Sequence, residues 1–341
     1  MSEMVERSDV AIIGAGPVGL FAVFELGMLG IEAIVVDALD AVGGQCTALY
    51  PEKPIYDIPG YPRIDAGELV ARLEEQARPF RPRYRLGRRV VDLDETEDGG
   101  WRLAAEDGST IEARAVIIAA GGGAFGPNRP PLAGIEAYEG RSVHYYVKSR
   151  EVFRGKRIVI AGGGDSAVDW ALSLADLADR IHVVHRRQKF RAAPESVKDL
   201  HRLADAGNVV ELVIPYQLKA LEGTNGDLNA VVVATLEGEE RCLEADALLA
   251  FFGLASDLGP LAGWGLALDG NRIVVDPARA ETSAKGIFAI GDIASYPGKL
   301  KLILSGFAEA AMAAHAIHGI VRPDEALHFE YSTTKGLPSA D

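Results

Sequence analysis

Cysteine is nearly absent: Cys46 and Cys242 are the only two in 341 residues and stand 196 positions apart. That spacing excludes a disulfide framework, a CxxC redox pair and a cysteine zinc site. Also missing is any apolar run of the roughly 18 residues that crossing a bilayer requires. The first residues, Met1 to Arg7, are polar and unlike a secretion signal, so the expected compartment is the cytoplasm, with no membrane partner. Positive charge is scarce as well. Thirty-five Lys and Arg against 49 Asp and Glu leave a net charge of −14, the opposite of the basic footprint of a nucleic-acid binder. What is present, 48% hydrophobic and 25% charged residues, is ordinary for a globular protein. The length suffices for two domains, each with its own core. A small-molecule enzyme fits these bounds.

The chain is organised around its first 37 residues. Val10-Ala11-Ile12-Ile13 leads into Gly14-Ala15-Gly16-Pro17-Val18-Gly19, a helical segment to Leu29, and Ala33-Ile34-Val35-Val36 ending on Asp37. Strand, tight glycine turn, helix and strand closed by an acid make a dinucleotide cradle. Gly14, Gly16 and Gly19 permit the turn and a close backbone approach, the pyrophosphate sits on the helix N-terminus that Pro17 opens, and Asp37 accepts from a ribose hydroxyl.

Downstream, Gly43-Gly44-Gln45-Cys46-Thr47-Ala48-Leu49-Tyr50-Pro51 is either a surface loop with a core tyrosine or a loop presenting backbone donors and an aromatic face to a cofactor ring. The Pro- and Gly-rich stretch Pro54 to Pro62, which contains Asp57, is irregular. Asp65, with Glu68 three residues on, predicts a capping box opening a helix to about Ala77. Six arginines, Arg78, Arg81, Arg83, Arg85, Arg88 and Arg89, then interrupt an acidic chain. They read as a solvated face or as a docking patch for an acidic partner. Val90–Leu93, Trp101–Ala105 and Ile111–Ala113, separated by Gly-containing turns, predict an antiparallel meander. Ala115–Ala120 is a buried parallel strand, broken by Gly121-Gly122-Gly123, where a domain boundary is placed.

A second copy follows. Arg157–Ala161 leads into Gly162-Gly163-Gly164-Asp165-Ser166-Ala167, a helix to about Leu177, the strand Ile181–Val184, and then His185-Arg186-Arg187 with Arg191 beyond. Gly14 to Asp37 and Gly162 to His185 both span 23 positions, so the residues that end the two second strands can be compared directly. The first is an acid, which suits a free ribose 2′-hydroxyl. The second is a basic cluster, which suits a 2′-phosphate through bidentate, charge-assisted bonds. The first cradle therefore reads as an FAD site and the second as an NADP(H) site. Val209 to Phe252 is strand-rich and completes the second domain. Ile287–Ile290 is a further strand ending on Gly291-Asp292, and Lys301–Ile320 is a helix whose small residues permit close packing. A carboxylate at that strand end lies where open α/β sheets bind ligands. The expected fold is α/β, with two Rossmann-like three-layer dinucleotide-binding domains. An FAD domain (1–122 and 254–341, the latter with a C-terminal extension) is interrupted by an inserted NADP domain (123–253).

The two glycine turns, His185-Arg186-Arg187 with Arg191-Ala192, and Ile287 to Asp292 resemble the two-domain flavoprotein disulfide reductases of the low-molecular-weight thioredoxin reductase type, over nearly the whole chain. Those enzymes carry a CxxC in the NADPH domain; Tyr145 and Lys148 occupy the corresponding places here. Larger disulfide reductases place a cysteine pair after the first glycine pair, where this chain has Cys46 but Pro51. Gly43-Gly44-Gln45, Ala48 to Lys53, Gly162 to Ala171 and Tyr331-Ser332-Thr333-Thr334 are similar to the relatives without those cysteines, the thioredoxin-reductase-like ferredoxin-NADP reductases.

That resemblance implies electron transfer between NADPH and a ferredoxin or flavodoxin through FAD, with no side-chain nucleophile and no metal. It implies FAD contacts from Asp37, Gln45, Tyr50, Val90, Phe125, Asp292 and Thr333. It also implies a homodimer in which Tyr50 covers one flavin face and Tyr331, from the partner subunit's tail, the other, with Thr333 and Asp57 near the reactive edge. Arg78 to Arg89, or Lys148 and Arg150, are the docking candidates. Two other functions compete: NADPH-dependent flavin reduction of low-molecular-weight disulfides or quinones, and a non-enzymatic flavin sensor, against which the complete second cradle argues.

Overall fold

The computed structural model describes residues 5–327 and 336, apart from the side chains at positions 124–125 and 254–256. The chain divides into two compact units, Met1–Phe125 with Ser256–Asp341, and Gly126–Ala255.

The first unit is built on the strand Val5–Ile13, which pairs in parallel with Ala33–Val36 on one side and Thr110–Ile118 on the other. Arg83–Arg85 extends the sheet beyond Ala33–Val36. Period-two alternation decides the layers. Val10 and Ile12, with Val35, Ala115 and Ile117, face a helical layer containing Leu26, Ala310, Ala313 and Ile317. Ala11, Ile34, Val116 and Ile118 face the other way, onto Leu93, Leu103, Leu258 and Ile273. With helices on one side and the meander and loops on the other, the unit has three layers. Each fully buried Val, Ile or Leu contributes about 1.5–3 kcal/mol, so the glycine turn follows a strand end anchored by the buried Val10, Ala11 and Ile12.

Two expectations are corrected. Ile111–Ala113 and Ala115–Ala120 are not separate strands: Thr110–Ile118 is continuous. Its first half pairs antiparallel with Trp101–Ala105 and its last three residues pair in parallel with Ile287–Ala289. Arg114, which breaks the apolar pattern in the sequence, points outward and donates to the Val321 carbonyl at 3.2 Å. The helix Ala66–Ala77 forms, but without the capping box, because Asp65 makes no side-chain cap. The Lys53 carbonyl accepts from Ala66 N and the Pro51 carbonyl from Gly67 N, at 3.0 and 2.8 Å. These bonds satisfy the terminal amides that a cap would otherwise serve.

The second unit holds a five-stranded parallel sheet in the order Val143–His144, Ala247–Ala250, Arg157–Ala161, Arg180–Val184, Val210–Val213. A three-stranded antiparallel sheet, Gln217–Thr224, Asp227–Ala234 and Glu240–Glu244, packs against one face. Val159, Val184 and Leu248 meet Val231, Val233 and Leu243 there.

Candidate functional site

The first cradle occupies the end of Val5–Ile13. Gly14 has φ +111°, and a Cβ there would stand 2.4 Å from the Ala119 carbonyl oxygen, so only glycine fits this bend. A Cβ on Gly19 would meet the Gly14 carbonyl oxygen at 2.0 Å, which draws the helix Pro17–Met28 hard against the turn. Gly16 differs, because a Cβ there would meet nothing within 4 Å. That open space faces the helix N-terminus, whose first amides have no side-chain cap and whose first residue is Pro17. An anionic diphosphate fits both the room and the unsatisfied donors.

Asp37 stands over the same turn. Its Oδ2 accepts from Ala15 N at 2.6 Å and its Oδ1 from Leu39 N at 2.8 Å. Burial raises its pKa, while the two amide bonds pull it back down. Ala15 also ties in the next loop, its carbonyl accepting from Gly43 N at 2.8 Å. Gly44, at φ +56°, then opens the short helix Gln45–Ala48, so Gln45 stands at that helix's N-terminus, beside the Gly16 turn.

Cys46 is buried. Burial pushes its thiol up to about 11, against the opposing effect of a hydrogen bond with Tyr50, and the negative field of Asp292 adds to the rise. Burial, Cys46 and Asp292 likewise raise Tyr50. The Tyr50 ring packs against the buried cluster that holds Cys46, Leu20 and Leu69, and the Lys53 ammonium lies 5.9 Å from its centroid. Gly14, Gly16, Pro17, Gly19, Asp37, Gly44 and Gln45 thus gather at one turn, and the Asp292 carboxylate acts through space on both Cys46 and Tyr50. Asp57 is exposed on the loop after Pro54–Ile55. Val90 buries its side chain in the core, leaving only its main chain to meet a ligand. Tyr331, Thr333 and the Phe125 side chain lie outside the described residues.

The second cradle is assembled on Arg157–Ala161. Gly162 N donates to the Val184 carbonyl at 3.0 Å, and the helix Asp165–Leu174 begins from an extended Gly164 without a side-chain cap. Ser166 and Ala167 lie in its first turn, and Ala167 is buried. The loop carrying the basic cluster folds back onto the glycines. Arg191 N donates to the Gly163 carbonyl at 2.6 Å, and Asp165 Oδ1 accepts from Ala193 N at 2.9 Å. The His185 imidazole stacks on Phe190, with ring centroids 5.3 Å apart. Burial lowers the His185 pKa, and Arg186, Arg187 and Arg191 lower it further, so the ring is neutral at physiological pH. The positive charge here belongs to the three guanidinium groups, which are exposed and have no carboxylate partner among the described residues.

The arginines from Arg78 to Arg89 behave otherwise. Arg85 forms a bidentate pair with Glu6, one arm at 2.5 Å. Arg83 donates to the Arg7 carbonyl at 2.7 Å, and Arg88 lies 3.3 Å from Asp107. Arg78 lies 4.0 Å from Glu75. Within this run only Arg81 and Arg89 have no carboxylate partner among the described residues, so the run is not one free basic face. Arg150 is also engaged, with the Ser173 carbonyl and with Asp176 at 2.6 Å. Lys148 is exposed, 5.8 Å from the Tyr146 ring centroid. At the place of the missing dithiol, Tyr145 donates to Glu139 at 2.6 Å.

One group escaped the sequence reading. Glu309 is 1% exposed in the helix Ile303–Val321 and bonds to the Gly291 amide beside Asp292. The available signal was a lone carboxylate in the small-residue run Ala308-Glu309-Ala310-Ala311.

Residues 8–316 match the family model described as pyridine nucleotide-disulphide oxidoreductase. The chain is 64% identical to a ferredoxin–NADP reductase of Paramagnetospirillum magneticum over 332 residues, covering 97% of this chain and 98% of that one. It is 62% identical to a ferredoxin–NADP reductase of Rhodospirillum rubrum over 335 residues, covering 97% of each. Among solved structures, a thioredoxin reductase of T. acidophilum matches with a TM-score of 0.78 at 25% identity, over 92% of this chain and 98% of that one.

Proposed function

The chain belongs to the pyridine nucleotide-disulphide oxidoreductase family and, within it, to the ferredoxin–NADP reductases, and from that membership we propose that it is an NADPH-dependent FAD oxidoreductase that exchanges electrons with a ferredoxin. The observation that carries this reading is the pair of cradles of equal spacing with opposite last charges. Asp37 closes the first, and three guanidinium groups with no carboxylate partner among the described residues close the second.

FAD, held at the first cradle, supplies the exchange between electron pairs and single electrons. The chain's part is to bind and orient. The helix amides that follow Pro17 and the space at Gly16 receive the diphosphate, Asp37 the adenosine ribose, and Asp292 the ribityl chain. Tyr50 is the aromatic wall, held by its hydrogen bond with Cys46 and by the buried cluster it packs against. In the second cradle Gly162 and Gly164 admit the nucleotide's diphosphate to the helix at Asp165, while Arg186, Arg187 and Arg191 take the 2′-phosphate. His185, neutral, adds a flat surface rather than charge.

Cys46 takes no part in thiol chemistry on this reading, because a thiol pushed up to about 11 is protonated at working pH and Pro51 supplies no second sulfur. We further propose a homodimer with Tyr331 and Thr333 crossing to the partner subunit, as the resemblance implies, and the cytoplasm, as the polar first residues suggest. No described helix is long and apolar enough to cross a membrane.

The test is anaerobic mixing of the purified yellow protein with NADPH or NADH, then with oxidised ferredoxin. Fast loss of visible absorbance with NADPH, much slower loss with NADH, and recovery on adding ferredoxin are expected. Failure to recover would remove ferredoxin as the acceptor, and no loss with NADPH would overturn the activity itself.

A further inference from the structure

Glu309 is the one buried carboxylate among the described residues, 1% exposed in the helix Ile303–Val321. A buried ion is tolerated only when its oxygens are fully engaged. Here Oε2 accepts from Gly291 N at 2.7 Å, and Oε1 accepts from the Tyr296 hydroxyl at 2.6 Å and from Lys299 Nζ. Lys299 is itself almost wholly enclosed, with 2% of its side chain exposed. Burial, and then Glu309, raises Tyr296 to about 12, so it remains a donor through the working pH range.

The group Glu309 grips is the first amide of the tight turn Gly291–Ile293, which follows the strand Ile287–Ala289 and carries Asp292. Gly291 has φ +75°, a conformation disfavoured for residues with side chains. On the same helix, one turn before Glu309, Gly306 lies against Val18 and the Gly291 Cα. A Cβ there would stand 2.4 Å from Val18 Cγ2 and 3.2 Å from Gly291 Cα. Helix and turn are therefore locked at two points, and the unlocked group is the Asp292 carboxylate, exposed and with its field reaching Tyr50 and Cys46.

We infer that Glu309 is a positioning residue of the cofactor cradle. By holding the Gly291 amide inward, and with Lys299 cancelling its charge, it turns Asp292 outward to face FAD. An apolar residue at 309 would pack against the alanines but leave the Gly291 amide without an acceptor, free to rotate away.

The inference rests on the reading that FAD binds this unit. The full-length protein is compared with Glu309→Gln, which keeps an oxygen for Gly291, and with Glu309→Leu/Lys299→Met, which removes the acceptor without stranding a buried charge. Three quantities are followed: hydrogen exchange of the peptide containing Gly291, the rate of FAD release by flavin fluorescence, and the melting temperature. In the double variant, exchange at Gly291 and FAD release both rise about tenfold or more, as the loss of one buried amide bond implies. Exchange elsewhere in the helix is unchanged, and Glu309→Gln, which leaves Lys299 buried without its counter-ion and so melts lower, keeps exchange at Gly291 and FAD release close to wild type.

Wild-type release and exchange in the double variant would overturn the role of Glu309. So would fast exchange at Gly291 in the wild type, a measurement that needs no variant to fold. Wild-type protein that neither carries nor takes up FAD would instead remove the underlying reading.

Discussion

The imidazole of His185 lies against Gly163: a Cβ on residue 163 would stand 2.2 Å from the His185 ring. The ring is also stacked on Phe190 and sits 3.3 Å from the Lys189 carbonyl. A methyl group at 163 therefore displaces the ring and the loop leading to Arg191. Gly163→Ala is expected to raise KM for NADPH about tenfold, or ~1.4 kcal/mol. Flavin content stays at the wild-type level, because the first cradle belongs to the other unit. Steady-state kinetics alongside the flavin-to-protein absorbance ratio checks both halves.

Arg186, Arg187 and Arg191 form no ion pairs with described residues, so removing one leaves no stranded carboxylate. Replacing any of them with Gln is expected to cost about 1.5–3 kcal/mol of NADPH binding, the worth of a charge-assisted bond. Turnover with NADH should hardly change. A parallel loss with both nucleotides would remove these residues from 2′-phosphate recognition.

Arg85 and Arg81 separate stability from docking. Arg85→Glu sets a carboxylate against Glu6, whose pKa the Arg85 bond, opposed by desolvation, holds low. It should lower stability by about 1 kcal/mol and show as a reduced Tm. Arg81→Glu disturbs no ion pair among the described residues. It should leave Tm alone and weaken ferredoxin turnover at low salt, with the difference disappearing at high salt. Unchanged turnover at low salt would exclude Arg81 from docking.

Glu211 governs the acid limb of the second unit. Burial pushes it up, but bonds from Arg241 at 2.7 Å and Arg180 at 2.9 Å outweigh that and hold it at about 2, against an ordinary value of 4.5. A folded-state pKa below the unfolded one means that the group stabilises fully above about pH 4.5. The contribution fades as pH falls toward about 2. Thermal melts of the Glu211→Gln variant should show lower stability at neutral pH and a shallower loss between those limits. An identical slope in both proteins would contradict this.

The two cysteines should react very differently. Cys46 is buried and its thiol is pushed up to about 11, whereas Cys242 is exposed. Iodoacetamide on the native protein at mild alkaline pH is expected to label Cys242 alone, without loss of flavin or turnover. Labelling of Cys46 at a similar rate, or inactivation on labelling Cys242, would contradict this.

Much of the architecture was legible because periodicity and glycine spacing are local signals. Val10 to Asp37 and Arg157 to Arg191 each carry their strand, turn and helix in contiguous residues. Arg114 misled because its charge interrupts an apolar run that the sheet tolerates at an outward position. The capping box misled because carbonyls from Pro51 and Lys53, distant in sequence, reached the helix amides first. The arginine run could be read as a solvated face or as a docking patch, because the partners of Arg85 and Arg88, Glu6 and Asp107, lie away from them along the chain.

The sequence by itself determined the two cradles, the opposite charges that end them, and the absence of a dithiol, because each depends on residue identity at short range. Only the tertiary structure decided which charges are free. Among the described residues Arg85 and Arg88 pair with carboxylates and Arg186, Arg187 and Arg191 do not, and Glu309 is a buried grip on Gly291 rather than a surface acid. Coulomb and hydrogen-bond energies depend on distance in space and on burial, and the order of residues along the chain encodes neither.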